Sequence, residues 1–539
     1  MRPDGNSPMD ASPMTQSQRP VNFLLFITDQ HRADHLGAYG NTVVATPHLD
    51  ALAAAGWRSD EMHVATPICM PNRASLLTGR YPSAHGARHN GIPLDLQSAT
   101  FVDVLRRAGY RTSLVGKAHF QNMTDNPPPW PPNPADRLAR EAKARGPGRY
   151  DQENRNKWLT QADYDLDYPF YGFEDVDLVD DHSDSVHGHY RQWLRRHHPE
   201  VEALIGPEAA TPAPDYVLTT FGQAWRTAVS EELYPSAYIA DRTIERLERA
   251  GGQPFFIQCS FPDPHHPFTP PGRYWNMYDP GEMELPPSFH GGDAPPPHVR
   301  WLYRQRDGGK AIKHTPAIFA CTEREAREAL ALNYGSIANI DHQIGRVLAA
   351  LKRLGLEDDT VVVFTSDHGD YLGDHQLMLK GPIHYRGLVR VPFIWRDPRQ
   401  PAQGASSALT STIDVAPTIL ARAGVAGFNG IQGKSLLDVM AGKADRVREH
   451  LMIEEEGQRV ILGFDERIRC RTLRSPRHRL TIYDGAEWGE LYDLERDPIE
   501  ARNLWDDAGH AGVKADMMQA LARDMLYHVD TSPYPDALA

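Results

Sequence analysis

Four segments of strand length, each followed by polar residues, constrain the fold of this chain more than any other feature. Short, uninterrupted apolar runs are typical of strands that are buried on both faces of a sheet. The first is the apolar run Val21 to Thr28, before Asp29-Gln30. The other three are RTSLV before Gly116 to His119, FFIQCS before Pro264 to His266, and TVVVFTS before Asp367 to Gly369.

Helical patterns lie between these runs. Thr46-Pro47 is a typical helix start before LDALAAA, and a long helical pattern from about Arg327 to Leu354 precedes the run TVVVFTS. Strands alternating with helices predict an α/β fold, with a large, mostly parallel sheet flanked by helices. Ligands of such sheets bind beyond the carboxyl ends of the strands, where the polar segments are predicted to lie.

A chain of 539 residues exceeds the usual size of one domain, so we expect two. Residues 21–445 carry the α/β pattern and form the predicted catalytic domain. Residues 446–539 read as short strands joined by turns and then a helix, which predicts a smaller antiparallel α+β subdomain. Residues 121–233 form an insertion without clear periodicity, interpreted as a lid or pocket wall or as disorder, and residues 1–20 are interpreted as a disordered leader.

The formal net charge of -14 argues against a nucleic-acid partner, because binding to phosphates is driven by clustered basic residues. No apolar stretch near the start is long enough for a secretion signal or a membrane span. The four cysteines are far apart in sequence, which suggests neither a disulfide framework nor a zinc knuckle. We therefore expect a cytoplasmic protein without membrane attachment, and we interpret the insertion's histidines, such as His187, as solvated.

Cys69 is predicted to lie at the start of a helix, with Pro71 at a position that favours helix initiation. A buried structural thiol is the default interpretation of a lone cysteine. A thiolate mechanism of the tyrosine-phosphatase kind would require arginine at the position occupied by Ser75. The residues around Cys69 therefore favour a different chemistry.

The segment with Cys69, Pro71, Arg73 and then Thr78-Gly79 resembles the signature region of the type I sulfatases, in which the cysteine is converted to formylglycine. The resemblance extends from Val21 to about Leu504, because further motifs occur in the order of that family. It implies the alkaline phosphatase superfamily, within the branch of arylsulfatases and phosphonate monoester hydrolases. The further motifs are Asp29, Gly116 to His119, Pro264 to Phe268, Asp367 to Gly369, Lys380 and the late ELYDLERDP.

The resemblance implies one divalent metal ion, Mn²⁺ or Ca²⁺, held by Asp29, Gln30, Asp367, His368 and an oxygen of the residue derived from Cys69. The commonest sulfatase pattern resembles Asp-Asp at the first site and Asp-Asn at the second, whereas Gln30 and His368 stand here. An imidazole and fewer carboxylates shift the preference from calcium toward manganese or a similar ion.

The resemblance also implies catalytic and substrate-binding roles. Arg73, Lys117 and Lys380 are expected to meet the negative charge of an ester, and Asn90 to add a hydrogen bond. A hydroxyl of the formylglycine hydrate would attack sulfur or phosphorus, His265 with Lys380 would protonate the leaving alcohol, and His119 would accept the final proton.

These residues predict an enzyme that hydrolyses sulfate monoesters of the arylsulfatase type. The first alternative is a phosphonate monoester hydrolase or phosphodiesterase with the same site, and the second is a non-catalytic binding protein with unmodified Cys69. The expected partners are a small anionic ester, a formylglycine-generating enzyme, and further copies of the chain in a dimer or tetramer.

Overall fold

The structure is a computed structural model and describes residues 20–127, 142–292, 294–402 and 404–537. The predicted leader therefore lies almost entirely outside the described residues, as does most of the proline-rich start of the insertion. The described part contains two sheets of more than two strands, one in each predicted domain.

The larger sheet has nine strands in the order β12-β2-β11-β9-β1-β7-β4-β5-β6. Its centre, β9-β1-β7-β4-β5, is parallel throughout, whereas β11 and β6 pair antiparallel with their neighbours β9 and β5. The strands of the chain before the C-terminal subdomain are β1 Asn22–Thr28, β2 Trp57–Ser59, β3 Met62–His63, β4 Arg111–Gly116, β5 Asp175–Asp180, β6 His187–Gly188, β7 Phe255–Ser260, β8 Phe319–Ala320, β9 Thr360–Ser366, β10 Leu377–Met378, β11 Phe393–Arg396, β12 Gly404–Ser406 and β13 Thr410–Ser411.

Burial explains why the central runs form strands. Every residue of β1, β7 and β9 is buried, which is the condition of strands covered by helices on both faces. The sheet is flanked by helices, and the longest of them, α10, is capped by Thr322 in a capping box with Glu325. The helices are α1 Pro47–Ala54, α2 Cys69–Thr78, α3 Pro82–His85, α4 Phe101–Arg107, α5 Arg155–Thr160, α6 His189–His197, α7 Pro199–Glu202, α8 Pro235–Glu248, α9 Pro297–Asp307, α10 Glu323–Arg353, α11 Arg386–Val389, α12 Val415–Ala423, α13 Leu437–Met440 and α14 Ala511–Tyr527.

The insertion contributes to the main sheet, which its irregular sequence did not predict. Its segment DVDLVD forms β5, which pairs in parallel with β4, and β6 then pairs with β5. Charged residues alternate with apolar ones in the first half of β5, as in a strand with one buried face. The interpretation of the insertion's histidines as solvated is wrong for His187, which lies in β6 and is fully buried.

The C-terminal subdomain contains the antiparallel sheet β14-β15-β16-β17 with α14 packed beside it. Its strands are β14 Leu451–Glu456, β15 Arg469–Arg474, β16 His478–Tyr483 and β17 Gly489–Asp493. Arg479 is buried in this sheet and forms ion pairs with Glu490, at 3.1 Å, and with Glu500. The predicted fold class, an α/β body with a smaller antiparallel subdomain, is confirmed.

All four cysteines are buried and none forms a disulfide. Within the residues that the structure describes, no helix combines the length and the apolar character that a membrane crossing requires.

Candidate active site

Two aspartates lie side by side at the carboxyl ends of neighbouring strands. Asp29 follows β1 and Asp367 follows β9, and the Asp367 amide donates a hydrogen bond to the Thr28 carbonyl at 3.1 Å. Both side chains are almost completely inaccessible to solvent. The parallel pairing of β1 with β9 therefore converts two distant sequence positions into one pair of buried carboxylates.

Arg73 balances these carboxylates from the first turns of α2. Its Nε donates to Asp367 Oδ2 at 2.7 Å and its Nη2 to Asp29 Oδ2 at 3.4 Å. Its Nη1 donates to the Lys117 carbonyl and to Ser260 Oγ. The guanidinium therefore holds the aspartates, whereas the sequence analysis expected it to meet the charge of the substrate, a role that stays a prediction.

The same helix begins at Cys69, which brings its thiol to the carboxylates. Asp29, Cys69, Asp367 and His368 offer one ligand atom each, and these atoms all lie within 4.8 Å of one another. The His368 Nδ1 contacts the Gly369 carbonyl at 2.8 Å, which directs Nε2 to Cys69 Sγ, 3.1 Å away. This is the predicted set of metal ligands apart from Gln30, and two carboxylates with an imidazole suit a borderline divalent ion.

Gln30 is positioned by residues that the sequence analysis did not assign. Its amide nitrogen contacts the carboxylate of Asp370 and the ring nitrogen of His266. The amide oxygen therefore faces the site, 3.3 Å from Lys380 Nζ. This orientation is the one that a ligand role for Gln30 requires, and that role stays a prediction.

Lys117 follows β4 and is fully buried. Gly116 has φ of 110°, and a Cβ at this position would lie 1.8 Å from the Ser260 carbonyl oxygen. Only glycine therefore permits this turn. The turn directs Lys117 Nζ to Asp29 Oδ2 at 2.7 Å. Burial lowers the pKa of Lys117, but Asp29 and the other acidic groups nearby together raise this pKa by more, so the ammonium stays charged.

Lys380 lies at the centre of the cluster. Its Nζ is 2.8 Å from Cys69 Sγ, 2.9 Å from His265 Nε2 and 3.1 Å from His368 Nε2. In the described part of the chain, no carboxylate lies within ion-pair distance of this ammonium. Lys380 is therefore the cation best placed to meet an incoming anion.

Burial favours the neutral form of three imidazoles of the site. It is the main cause that lowers the pKa of His119, His265 and His368, and nearby cations lower each of them further. By contrast, burial alone would raise the pKa of Asp29, but Lys117 and Arg73 hold it well below its usual range. A neutral imidazole and an ionised carboxylate are the forms in which these groups bind metal ions.

His119 and Asn90 lie at the edges of the cluster. Burial, and then Lys117 and Arg73, lower the pKa of His119. The His119 Nδ1 has no hydrogen-bond partner among the described residues. Asn90 borders a cleft of about 120 Å³ that also reaches Lys380 and Ile68 beside Cys69. Its side-chain oxygen is buried and likewise without a partner in the described ranges. The structure therefore brings all the predicted site residues to one region.

His182 is a further site residue that the sequence analysis missed. It comes from the insertion, and its Nε2 lies 2.7 Å from Lys117 Nζ. One of its ring nitrogens lies within 4.8 Å of ligand atoms of Asp29, Cys69 and His265. The only available sequence signal was a histidine directly after the aspartates of DVDLVDD, the segment now seen to be β5 and its end.

Comparisons with known proteins agree with this geometry. A model of the sulfatase family matches residues 21–425, and one described as the C-terminal region of N-sulphoglucosamine sulphohydrolase matches residues 373–526. An arylsulfatase of Clostridium perfringens is 28% identical, covering 90% of each chain. The multifunctional alkaline phosphatase superfamily protein PehA of Trinickia caryophylli is also 28% identical, over 94% of this chain and 96% of its own.

Among solved structures, the phosphonate monoester hydrolase of Agrobacterium radiobacter is similar with a TM-score of 0.74 and 28% identity, covering 96% of this chain and 97% of its own. The fold and the site thus define a hydrolase of the alkaline phosphatase superfamily. Because the family model covers most of its length, the chain belongs to the sulfatase family. The predicted family and enzyme class are confirmed.

Proposed function

We propose that the protein hydrolyses sulfate monoesters of the arylsulfatase type, with a nucleophile derived from Cys69. The observation that carries this proposal is the convergence of Cys69 with two buried aspartates, His368 and two lysines at one edge of the sheet. The cations exceed the carboxylates there, so the site attracts an anion although the protein as a whole carries a charge of -14.

A divalent ion is the cofactor that fits these residues, and we propose Mn²⁺ ahead of Ca²⁺. Asp29, Asp367, His368 and the oxygen of a modified residue 69 would hold it, with the Gln30 amide oxygen nearby. When bound, the ion supplies a lowered pKa for the hydroxyl at residue 69. Formylglycine at this position supplies the second hydroxyl that a serine or a thiol lacks.

The protein's own groups provide the proton transfers. The Nδ1 of His265 contacts the His266 carbonyl, so this nitrogen carries the proton and Nε2 accepts from Lys380 Nζ. A proton for the leaving alcohol is thus available at Lys380 Nζ, and His265 Nε2 lies ready to relay it. The neutral His119, with an unpaired Nδ1, is the group available to accept the proton released when sulfate departs.

A second candidate function is hydrolysis of phosphonate monoesters or phosphate diesters at the same site. The similarity to the phosphonate monoester hydrolase of Agrobacterium radiobacter and the presence of Gln30 and His368 at the ligand positions favour it. The third, a binding protein with unmodified Cys69, does not account for the proton-transfer groups around Lys380.

Maturation and assembly are further parts of the proposal. A formylglycine-generating enzyme would modify Cys69, the active protein would be a dimer or tetramer, and it would act in the cytoplasm. Mass spectrometry of residue 69, light scattering of the purified protein and cell fractionation test these three points separately.

Side-by-side turnover of 4-nitrophenyl sulfate and 4-nitrophenyl phenylphosphonate by the metal-loaded protein tests the proposed function. We expect sulfate release to dominate, to disappear in Cys69→Ala, and to be restored after chelation more fully by Mn²⁺ than by Ca²⁺. The matched control is Cys259→Ala, which alters a buried cysteine of β7 outside the cluster. Faster turnover of the phosphonate ester would favour the second candidate, and sulfate turnover that survives Cys69→Ala would refute the nucleophile.

A further inference from the structure

Three histidine rings form a stack along one wall of the site. The rings of His182 and His265 are nearly parallel, with centroids 3.6 Å apart and an angle of 19°. The rings of His265 and His266 follow at 4.1 Å and 24°. His265, the proposed relay of the leaving-group proton, is therefore held between two other imidazoles, and its two faces are covered.

His182 is itself fixed by the insertion. Its Nδ1 lies 3.2 Å from Asp181 Oδ1, and the other carboxylate oxygen of Asp181 accepts from Arg155 at 3.0 Å. Asp181 and Ser183 have φ of 82° and 58°, conformations that residues with side chains rarely adopt. Such strained positions persist where the surrounding structure enforces them, and here they flank the ring that enters the site.

The hydrogen bond from Lys117 determines which tautomer the His182 ring adopts. The Lys117 ammonium can only donate, and Nζ lies 2.7 Å from His182 Nε2, so Nε2 must carry a lone pair. The ring proton then resides on Nδ1, where the Asp181 carboxylate accepts it. Lys117 is thereby held between the Asp29 carboxylate and the His182 lone pair, with two of its three protons directed.

We propose that His182 is a positioning residue for ester hydrolysis, which fixes the plane of His265 by stacking and the direction of the Lys117 ammonium by hydrogen bonding. The inference rests on the proposed function, since it assigns His265 to the leaving-group proton. It adds that the insertion completes the catalytic machinery, because the ends of β1, β4, β7 and β9 provide neither the outer ring of the stack nor a second acceptor for Lys117.

The two roles of His182 can be separated by substitution. His182→Phe keeps an aromatic ring against His265 but removes the acceptor for Lys117. His182→Gln keeps a side-chain oxygen near the position of Nε2 but removes the stack. His198→Gln is the matched control, because His198 lies in the same insertion, is partly exposed and contacts Glu200.

The main assay is kcat for a series of aryl sulfates whose leaving phenols span a range of pKa. A misplaced proton relay slows the departure of basic phenols far more than that of acidic ones, because acidic phenols leave without protonation. For His182→Gln we expect a loss of about ten- to hundredfold with the most basic phenols and little loss with 4-nitrophenyl sulfate, as follows from a displacement of the relay by a fraction of an ångström to one ångström. For His182→Phe we expect the wild-type dependence on the leaving group and a raised KM.

Binding of inorganic sulfate, measured by calorimetry, provides a readout that does not need turnover. His182→Phe should weaken this binding several-fold because Lys117 loses its direction, whereas His182→Gln and His198→Gln should not. Thermal unfolding of each variant shows whether it is folded. The positioning role is overturned if a folded His182→Gln lowers kcat equally for acidic and basic phenols. It is also overturned if a folded His182→Phe binds sulfate as the wild type does. If the wild type turns over no ester of the series, the proposed function fails first, and the relay part of this inference fails with it.

Discussion

The Lys380 ammonium occupies the neighbourhood of the ligand atoms, and removing its charge should strengthen metal binding while impairing catalysis. Nζ lies 3.1 Å from His368 Nε2 and 2.8 Å from Cys69 Sγ. A divalent ion on these atoms and the ammonium would repel each other at a separation of about 5 Å. That repulsion amounts to roughly 7 kcal/mol at an effective dielectric constant of about 20 and to roughly 1.7 kcal/mol with the screening of bulk water.

Lys380 is partly exposed toward the cleft, so the smaller value is the safer basis for a prediction. We expect Lys380→Met to bind Mn²⁺ at least about tenfold more tightly than the wild type, because each 1.4 kcal/mol corresponds to a factor of ten. We also expect kcat to fall by about a hundredfold or more, since the proton source for the leaving group is lost. Isothermal titration of the metal-free protein measures the first effect and steady-state kinetics the second.

The control is Lys434→Met, which removes a lysine that lies outside the site and donates to the Val447 carbonyl. Unchanged or weaker Mn²⁺ binding by a folded Lys380→Met variant would refute the placement of the ion at His368. The same result would also remove the argument that the charge of Lys380 weakens metal binding.

Three further predictions concern other parts of the molecule. Arg479→Met should lower the free energy of unfolding by about 3–5 kcal/mol, because the substitution leaves Glu490 and Glu500 buried without their cation. Urea unfolding measures this loss, and a loss below about 1 kcal/mol would contradict the prediction. Burial raises the pKa of Glu490, but Arg479 and His298 outweigh burial and hold this pKa well below the ordinary value of 4.5. The contribution of Glu490 to the stability of the wild type should therefore be complete above pH 4.5 and decline at lower pH. Unfolding curves between about pH 3 and 6 that show no such decline would exclude this prediction. Gly116→Ala should abolish sulfate turnover or prevent folding, because its Cβ would lie 1.8 Å from the Ser260 carbonyl oxygen; a folded variant with wild-type kcat would show that the turn tolerates a side chain.

The strand ends were predictable from sequence because each strand-length segment is followed by residues with a chemical role. β1 and β9 illustrate this, since both are fully buried and both deliver a carboxylate to the same edge. The cysteine segment was predictable for another reason, namely that its pattern resembles a known signature region.

The contacts of Arg73 and the role of His182 could not be predicted in this way. A sequence does not reveal which of several nearby anions a guanidinium will contact, and Arg73 proved to pair with Asp367 and Asp29. His182 lies just beyond the end of β5, a strand within an insertion whose sequence as a whole shows no clear periodicity. Its importance depends on stacking with His265, which is distant in sequence and reaches the same place through the order of strands in the sheet.

The ring of His182 reaches the centre of the site from the same segment that builds one edge of the sheet. An exchange of this segment between related enzymes, made in order to alter which alcohols are accepted, would therefore also exchange a part that steadies the chemical step. Grafts that replace residues 121–233 as a whole should keep full activity toward sulfates of basic phenols only where the donor supplies an equivalent ring. On the proposed role of His182, such an exchange changes the accepted alcohols and the rate of the chemical step together.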